Sequence, residues 1–262
     1  MGRGCIGARE LCKRVRAWYS TKRYTRKRSN DSGEMRMDTN YRMIRALGRI
    51  LLFLQMRLRI RHAERVPTSG PVLVVSNHLG STDPLTIAAD IPRQLRIVAK
   101  AELSDWPFIG WLARHGGVIF IRRGESDRDA LRTVLEALYA QQCALVFPEG
   151  SYRDPPEPAC MLPVKPGAAW LALKTGATVV PVGIWGTELV WSRARGWRFW
   201  HRPRVYVQFG EPYVPVAPLG MSSKAATTAV AEDMARRIAA LIPEEYRGFY
   251  GDIRKGVLAQ AR

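Results

Sequence analysis

The segment Asn77-His78-Leu79-Gly80-Ser81-Thr82-Asp83 sets a histidine and an aspartate five positions apart. Imidazole titrates near neutral pH, and a carboxylate that accepts one ring N–H fixes which nitrogen is left to take a proton. Such a pair can deprotonate a hydroxyl. On one helix, five residues turn about 500° and leave the two side chains about 140° apart, out of reach of each other. A turn between them removes that obstacle, and the flanking residues supply one. Pro71 to Ser76 is a short β-branched run that reads as a buried strand ending at Asn77. Asp83-Pro84 reads as an N-cap followed by proline at the first helical position. Taken alone, the same residues more often mean a loop histidine and a capping aspartate.

What surrounds the pair gives it a substrate. Lys100 follows the apolar run Ile97-Val98-Ala99, and Arg123 follows Val118 to Ile121. Glu149, Gly150, Ser151 and Arg153 follow the apolar run Cys143 to Phe147, and Lys165-Pro166-Gly167 leads into a helical segment. Strand ends of α/β sheets line the ligand crevice, and helix starts favour anions. Several cations in such places around one histidine point to a phosphate-bearing substrate. A hydrolase built on Ser76 or Ser81 is a rival reading, but it lacks a G-x-S-x-G elbow and crowds three triad members into eight residues. A metal site would need more ligands than His78 and Asp83, and His62, His115 and His201 are scattered. No metal and no cofactor is expected.

These residues sit on alternating elements. Beyond the strand at 71–76, a helix is expected over 84–90, and short strands at 96–99 and 117–121. A helix opening at Ser126 has Leu131, Val134, Leu135 and Leu138 as its core face. A strand at 143–147, a helix at 168–174 stopped by Gly176, a strand at 178–184, another at 204–209 and a closing helix at 225–242 complete the pattern. Pro181 inside the 178–184 strand argues for an edge or a bulge. The expected class is α/β, a mixed sheet flanked by helices and preceded by a basic amphipathic N-terminal helix.

The formal charge of +18 is concentrated at the start: residues 1–65 hold 18 Lys and Arg against 5 Asp and Glu, a net of +13. Residues 1–40 read as a basic disordered tail. Residues 41–65 read as an amphipathic membrane-associating helix. Ile44, Leu47, Leu51, Leu54 and Leu58 form its apolar stripe, and Arg42, Arg45, Arg49, Arg57 and Arg59 its other side. Packing on the protein's own core is the alternative use of that stripe. The longest apolar run, Ile50 to Leu54, is far short of the ~18–20 residues that span a bilayer. No nucleic-acid motif accompanies the basic arm, so an anionic membrane surface rather than nucleic acid is the expected partner. Trp185, Trp191, Trp197 and Trp200, interleaved with arginines, read either as a second interfacial patch or as a strand pair with core tryptophans.

Four ordered blocks between about Val66 and Phe209 resemble the lysophosphatidic acid acyltransferase family of the glycerolipid acyltransferases. NHLGSTD fits its H-x-x-x-x-D motif, and residues 98–123 are similar to its second block, with Lys100 and Arg123 at its basic positions. FPEGSYR, 147–153, is similar to its F-P-E-G-T-R block, and residues 164–184 to its last one. There is one departure: Ser151 replaces the usual threonine, Tyr152 stands where arginine is usual, and Arg153 comes one place late. The resemblance implies that 66–262 is an acyltransferase catalytic domain. It would move a fatty acyl chain from acyl-CoA or acyl-carrier protein to the hydroxyl of a lysophospholipid, 1-acylglycerol 3-phosphate first among them. It casts His78 as general base and Asp83 as its orienter. Lys100, Arg123, Glu149, Gly150, Ser151 and Arg153 would bind the acceptor. The Tyr152 departure admits a phosphate-free acceptor such as a lyso-ornithine lipid. The expected location is peripheral or monotopic on the cytoplasmic face of a membrane.

Overall fold

A short apolar segment with covered faces on both sides becomes a strand whose every side chain is buried, and Val72-Leu73-Val74-Val75-Ser76 is such a segment. It forms strand β2 (Val72–Ser76) near the middle of a seven-stranded sheet ordered β1-β7-β6-β2-β5-β3-β4. The other strands are β1 (Arg57–Arg61), β3 (Leu95–Lys100), β4 (Val118–Ile121), β5 (Cys143–Val146), β6 (Thr178–Trp185) and β7 (Arg204–Phe209). Helices α1 (Thr39–Gln55), α2 (Asp83–Ala88), α3 (Asp127–Tyr139), α4 (Gly167–Thr175) and α5 (Ser223–Ala239) lie between and after them. The computed structural model describes residues 39–100, 118–121, 127–151, 159–190 and 202–251. The expected tail over 1–40 lies almost wholly outside them.

Strands β4, β3, β5, β2 and β6 run parallel, β7 returns antiparallel to β6, and β1 runs parallel to β7. The sheet is therefore mixed, as expected, and the parallel strands send all their carboxyl ends to one side. One face is covered by α3, α4 and α5, with Leu73, Val75, Leu138, Leu171, Val179, Met234 and Ile238 in the shared core. The opposite face buries Val72, Val74, Leu145, Val182, Ile184 and Phe209 beneath Ile87 and Ile91. Leu52 and Met56 pack there on Ala89 and Val205.

The N-terminal helix differs from the expected one in two ways. It ends at Gln55 rather than reaching residue 65, and Arg57-Leu58-Arg59-Ile60-Arg61 is edge strand β1, with Arg exposed and Leu58 and Ile60 half-buried in alternation. Period two in these five residues was hidden because they follow the helical stripe almost without a break. The stripe is also rotated. Tyr41, Ile44 and Leu52 are buried against the body, whereas Met43, Ile50, Phe53 and Leu54 are exposed on the far side. Both alternatives for this helix thus have a face of their own. Gly48 lets α1 approach α2, since a Cβ there would stand 3.0 Å from Leu85 Cδ1. Arg49 pairs with Asp90 at 2.9 Å, and Arg45 donates to the Ile91 carbonyl. These contacts make α1 a prop for the helix that carries Asp83. Among the described residues no helix is long and apolar enough to cross a membrane.

Pro181 is not on an edge, because β6 lies between β2 and β7. It is at a bulge. The pairs Val182↔Phe209 and Val179↔Tyr213 enclose two residues on β6, 180 and 181, but three on the partner, 210 to 212. The Pro181 carbonyl accepts from Gly210 N–H on the β7 side, so its missing N–H faces the irregular stretch, where no ladder bond is lost.

If α1 is part of the folded body, truncating its most buried leucine opens a cavity with both transfer and packing costs. Leu52→Ala is expected to lower the unfolding free energy by about 2–5 kcal/mol in urea titration. A change within about 0.5 kcal/mol, typical of surface positions, would refute that integration.

Candidate active site

The site begins where β2 stops pairing. Ser76 is the last β2 residue in register with β6, opposite Val182. At the next position the main chain leaves the sheet, and the Asn77 side chain takes over the ladder: its Nδ2 donates to the Ile184 carbonyl at 2.8 Å and its Oδ1 accepts from Ile184 N–H at 2.9 Å. An amide side chain carries one donor and one acceptor in peptide-like geometry, so it substitutes for a residue of strand. The backbone is thereby freed to turn and project His78 at the carboxyl end of the sheet.

The turn closes on Asp83. Its Oδ2 accepts from His78 Nδ1 at 2.8 Å, from Leu79 N–H at 2.7 Å and from Gly80 N–H at 2.9 Å. Thr82, not Asp83, is the N-cap of α2; Asp83 is its first residue, followed by proline. The aspartate therefore braces the loop behind it instead of capping the helix ahead. Being acceptor-only, it requires a proton on Nδ1, which leaves Nε2 as the basic nitrogen. Asp83 is fully buried, while the His78 side chain keeps 15% exposure. The His78 ring stacks on Phe147, at the end of β5, with centroids 4.1 Å apart. Gly80 allows the turn to lie against the backbone of Thr187, whose carbonyl oxygen would be 3.2 Å from any Cβ.

Glu149, expected to bind the acceptor, lies against the histidine turn. It is 4% exposed, and its two oxygens accept from His78 N–H at 3.1 Å and Leu162 N–H at 2.7 Å. The carboxyl braces the histidine loop against residues 159–165. Burial pushes its pKa up to about 8, opposed by those two N–H groups and reinforced by the nearby Asp83 charge. Gly150 and Ser151 are exposed beside it, and Lys165 brings its Nζ to 3.0 Å from where a Gly150 Cβ would lie. Lys100 ends β3 opposite Ile121, at the same side of the sheet as His78. Arg123 and Arg153 lie outside the described residues, as do Ser126 and the tryptophans at 191, 197 and 200. Ser76, the rival nucleophile, is buried and donates to the Asn77 carbonyl at 3.0 Å. Sequence reading assigned no role to Asn77 or Phe147, whose partners are distant in the chain.

A mixed α/β sheet thus carries at its carboxyl edge a histidine–aspartate pair with Nδ1 turned to the carboxylate, an arrangement suited to a general base. Residues 57–185 match the family model described as Acyltransferase. A lyso-ornithine lipid O-acyltransferase of Rhodobacter capsulatus is 44% identical over 82 residues, covering 31% of this chain and 29% of that protein. A 1-acyl-sn-glycerol-3-phosphate acyltransferase of Borreliella burgdorferi is 29% identical over 150 residues, covering 56% of this chain and 58% of the relative. The matched part thus spans less than two thirds of either curated relative. The crystal structure of the 1-acyl-sn-glycerophosphate acyltransferase of Thermotoga maritima superposes with a TM-score of 0.58 at 28% identity, over 77% of this chain and 79% of that one. Residues 57–185, just under half of the chain, carry the acyltransferase match, and these similarities together support the lysophosphatidic acid acyltransferase family.

Glu149 also makes stability depend on pH. Its folded pKa of about 8 stands above the 4.5 of an ordinary glutamate, so the folded state holds the proton more tightly. The stabilisation is full below pH 4.5 and is lost as pH rises through 8. Urea midpoints taken from pH 5 to 8 are expected to fall in the wild type. Glu149→Gln should flatten that slope while lowering stability overall, because its amide can no longer accept both N–H groups; an unchanged slope would show that Glu149 is ionised throughout.

Proposed function

We propose that this protein transfers a fatty acyl chain from a thioester, acyl-CoA or acyl-carrier protein, to the free hydroxyl of a lysolipid. The observation that carries this reading is the His78–Asp83 pair, with Nδ1 committed to Asp83 and the ring held at the sheet's carboxyl edge. His78 Nε2 takes the acceptor's hydroxyl proton as its oxygen attacks the thioester carbonyl. The tetrahedral intermediate collapses with loss of the thiolate, which recovers that proton from the imidazolium. The products are an ester and a free thiol. A thioester is already activated, so no covalent enzyme intermediate is required, and a positioned base of this kind contributes about 10²–10⁴ in rate.

Lys100, Arg123, Gly150, Ser151 and Arg153 are proposed to bind the acceptor, with 1-acylglycerol 3-phosphate as the first candidate. A lyso-ornithine lipid is the second reading. It is supported by Tyr152 in place of the family's arginine and by the 44% identity to the Rhodobacter capsulatus protein. The acceptor is proposed to come from a membrane against which α1 lies. Exposed Met43, Ile50 and Leu54 face away from the body, with Arg42, also exposed, on the same helix to meet lipid phosphates.

His78→Ala is expected to leave the protein folded, with a lower unfolding midpoint because Asp83 loses a donor, and to cut acyl transfer by at least about 100-fold. A variant with most of its activity left would refute the role. The acceptor is decided by assaying purified protein with lysophosphatidic acid and lyso-ornithine lipid in parallel, each with both thioester donors; ester formed from neither would reject acyl transfer to these lipids. Membrane contact predicts that Ile50→Ser combined with Leu54→Ser weakens cosedimentation with phosphatidylglycerol vesicles several-fold without unfolding the protein, and equal cosedimentation would place the contact elsewhere.

A further inference from the structure

The sheet face opposite α1 carries a second cationic feature that the acceptor site does not use. Along β1 the side chains of Arg57, Arg59 and Arg61 are exposed, while Leu58 and Ile60 turn inward to the core beneath α1. In register beside them on β7 stand Arg204, Tyr206 and Gln208, while Val205, Val207 and Phe209 are buried on the α1 side. Trp185 of β6 completes the row. It pairs with Tyr206, and their rings stack with centroids 4.9 Å apart. Arg59, Arg61, Trp185, Tyr206 and Gln208 border a shallow cavity of about 100 Å³.

Charge on an edge strand discourages pairing with other sheets, but that need does not explain Arg204, which sits on the inner strand β7 directly opposite Arg57. Like charges in facing positions are destabilising. Among the described residues no carboxylate pairs with Arg57, Arg59, Arg61 or Arg204. Four arginines beside an aromatic pair form a surface complementary to several phosphates and a flat ring. The cavity is below the ~300–1,000 Å³ that encloses a whole ligand, so it suits the charged head of a molecule whose remainder lies elsewhere.

Register shows where that remainder would go. Ser76 is level with Val182 and the Asn77 side chain bonds the Ile184 main chain, so the histidine turn leaves β2 near the level of the Arg59–Tyr206–Trp185 row. From β2 to β1 there are three strand spacings, about 14 Å at ~4.8 Å each, and a pantetheine arm must also round the carboxyl edge, because the His78 ring packs on Phe147 at the α1 side. A lipid surface fits this face less well, because the exposed apolar side of α1 lies across the sheet and points the other way.

We propose that the face formed by Arg57, Arg59, Arg61, Arg204, Tyr206 and Trp185 binds the 3′-phosphoadenosine diphosphate head of a coenzyme A thioester. The inference rests on the acyl-transfer reading and names its donor. The test compares the wild type with Arg59→Ala/Arg61→Ala, both exposed positions, after circular dichroism has shown equal folding. The variant is expected to raise KM for palmitoyl-CoA about tenfold or more, each tenfold corresponding to about 1.4 kcal/mol, and to leave KM for palmitoyl-pantetheine and for the acceptor within about twofold. A direct titration with adenosine 3′,5′-bisphosphate, which needs no catalysis, should show binding to the wild type that the variant loses. The proposal is overturned if both thioesters are affected equally, if the wild type binds no adenosine bisphosphate and accepts acyl groups from carrier protein alone, or if the variant loses phosphatidylglycerol vesicles instead of the nucleotide. Nucleotide binding without acyl transfer would reject the catalytic reading while leaving this site in place.

Discussion

One oxygen atom organises the carboxyl end of this sheet. Asp83 Oδ2 gathers a ring N–H and two main-chain N–H groups, all between 2.7 and 2.9 Å, at a position without solvent exposure. Burying a carboxylate is costly unless its charge is met by donors, and hydrogen bonds to an ionised acceptor are the strong ones. The same three bonds that offset desolvation also define the turn from β2 to α2 and the tautomer of His78. Loop geometry and proton chemistry are therefore one constraint. The neighbouring braces, Asn77 on Ile184 and Glu149 on the His78 N–H, hold the turn from the β6 side and the β5 side.

Much of this was legible in the sequence because the signals are local. The apolar run 71–76, the Asp83-Pro84 helix start and the five-residue spacing prescribe strand, turn and helix, and the structure joins the pair as the spacing allowed. What was not legible depends on residues far apart in the chain. Asn77 finds its partner 107 positions away, and Glu149 clamps an N–H 71 positions away, so neither role leaves a trace in the residues around it. The bracing role of Glu149 is therefore visible only in the structure. The β1 strand was missed for another reason. Met56 alone separates it from α1, and Leu58 satisfies both the helical stripe and the strand alternation. Periodicity is ambiguous where two elements abut without a turn residue between them.

The two N-terminal elements share the work of the sheet's β1–β7 margin. Helix α1 covers one face there and turns apolar residues outward, while β1 leaves its arginines on the other. Under the proposed reading a lipid acceptor and a water-soluble donor would reach the same imidazole from opposite sides. Such an arrangement also parts the products, since the ester has its best solvent on the lipid side and the thiol in water.

The bulge at Pro181 reaches further than the two residues it displaces. In a regular strand, positions four apart face the same way, so Tyr213 would lie on the same side as Phe209. Phe209 packs on the α1 side, yet Tyr213 packs with the core beneath α3–α5 and carries Arg237 of α5 over its ring at 4.0 Å. The single extra residue flips the chain through the plane of the sheet at the point where the last helix must be delivered to the layer that needs it. The extra residue opposite Pro181 is a layer switch: it allows one polypeptide to finish the core on the side opposite the one it had just been building.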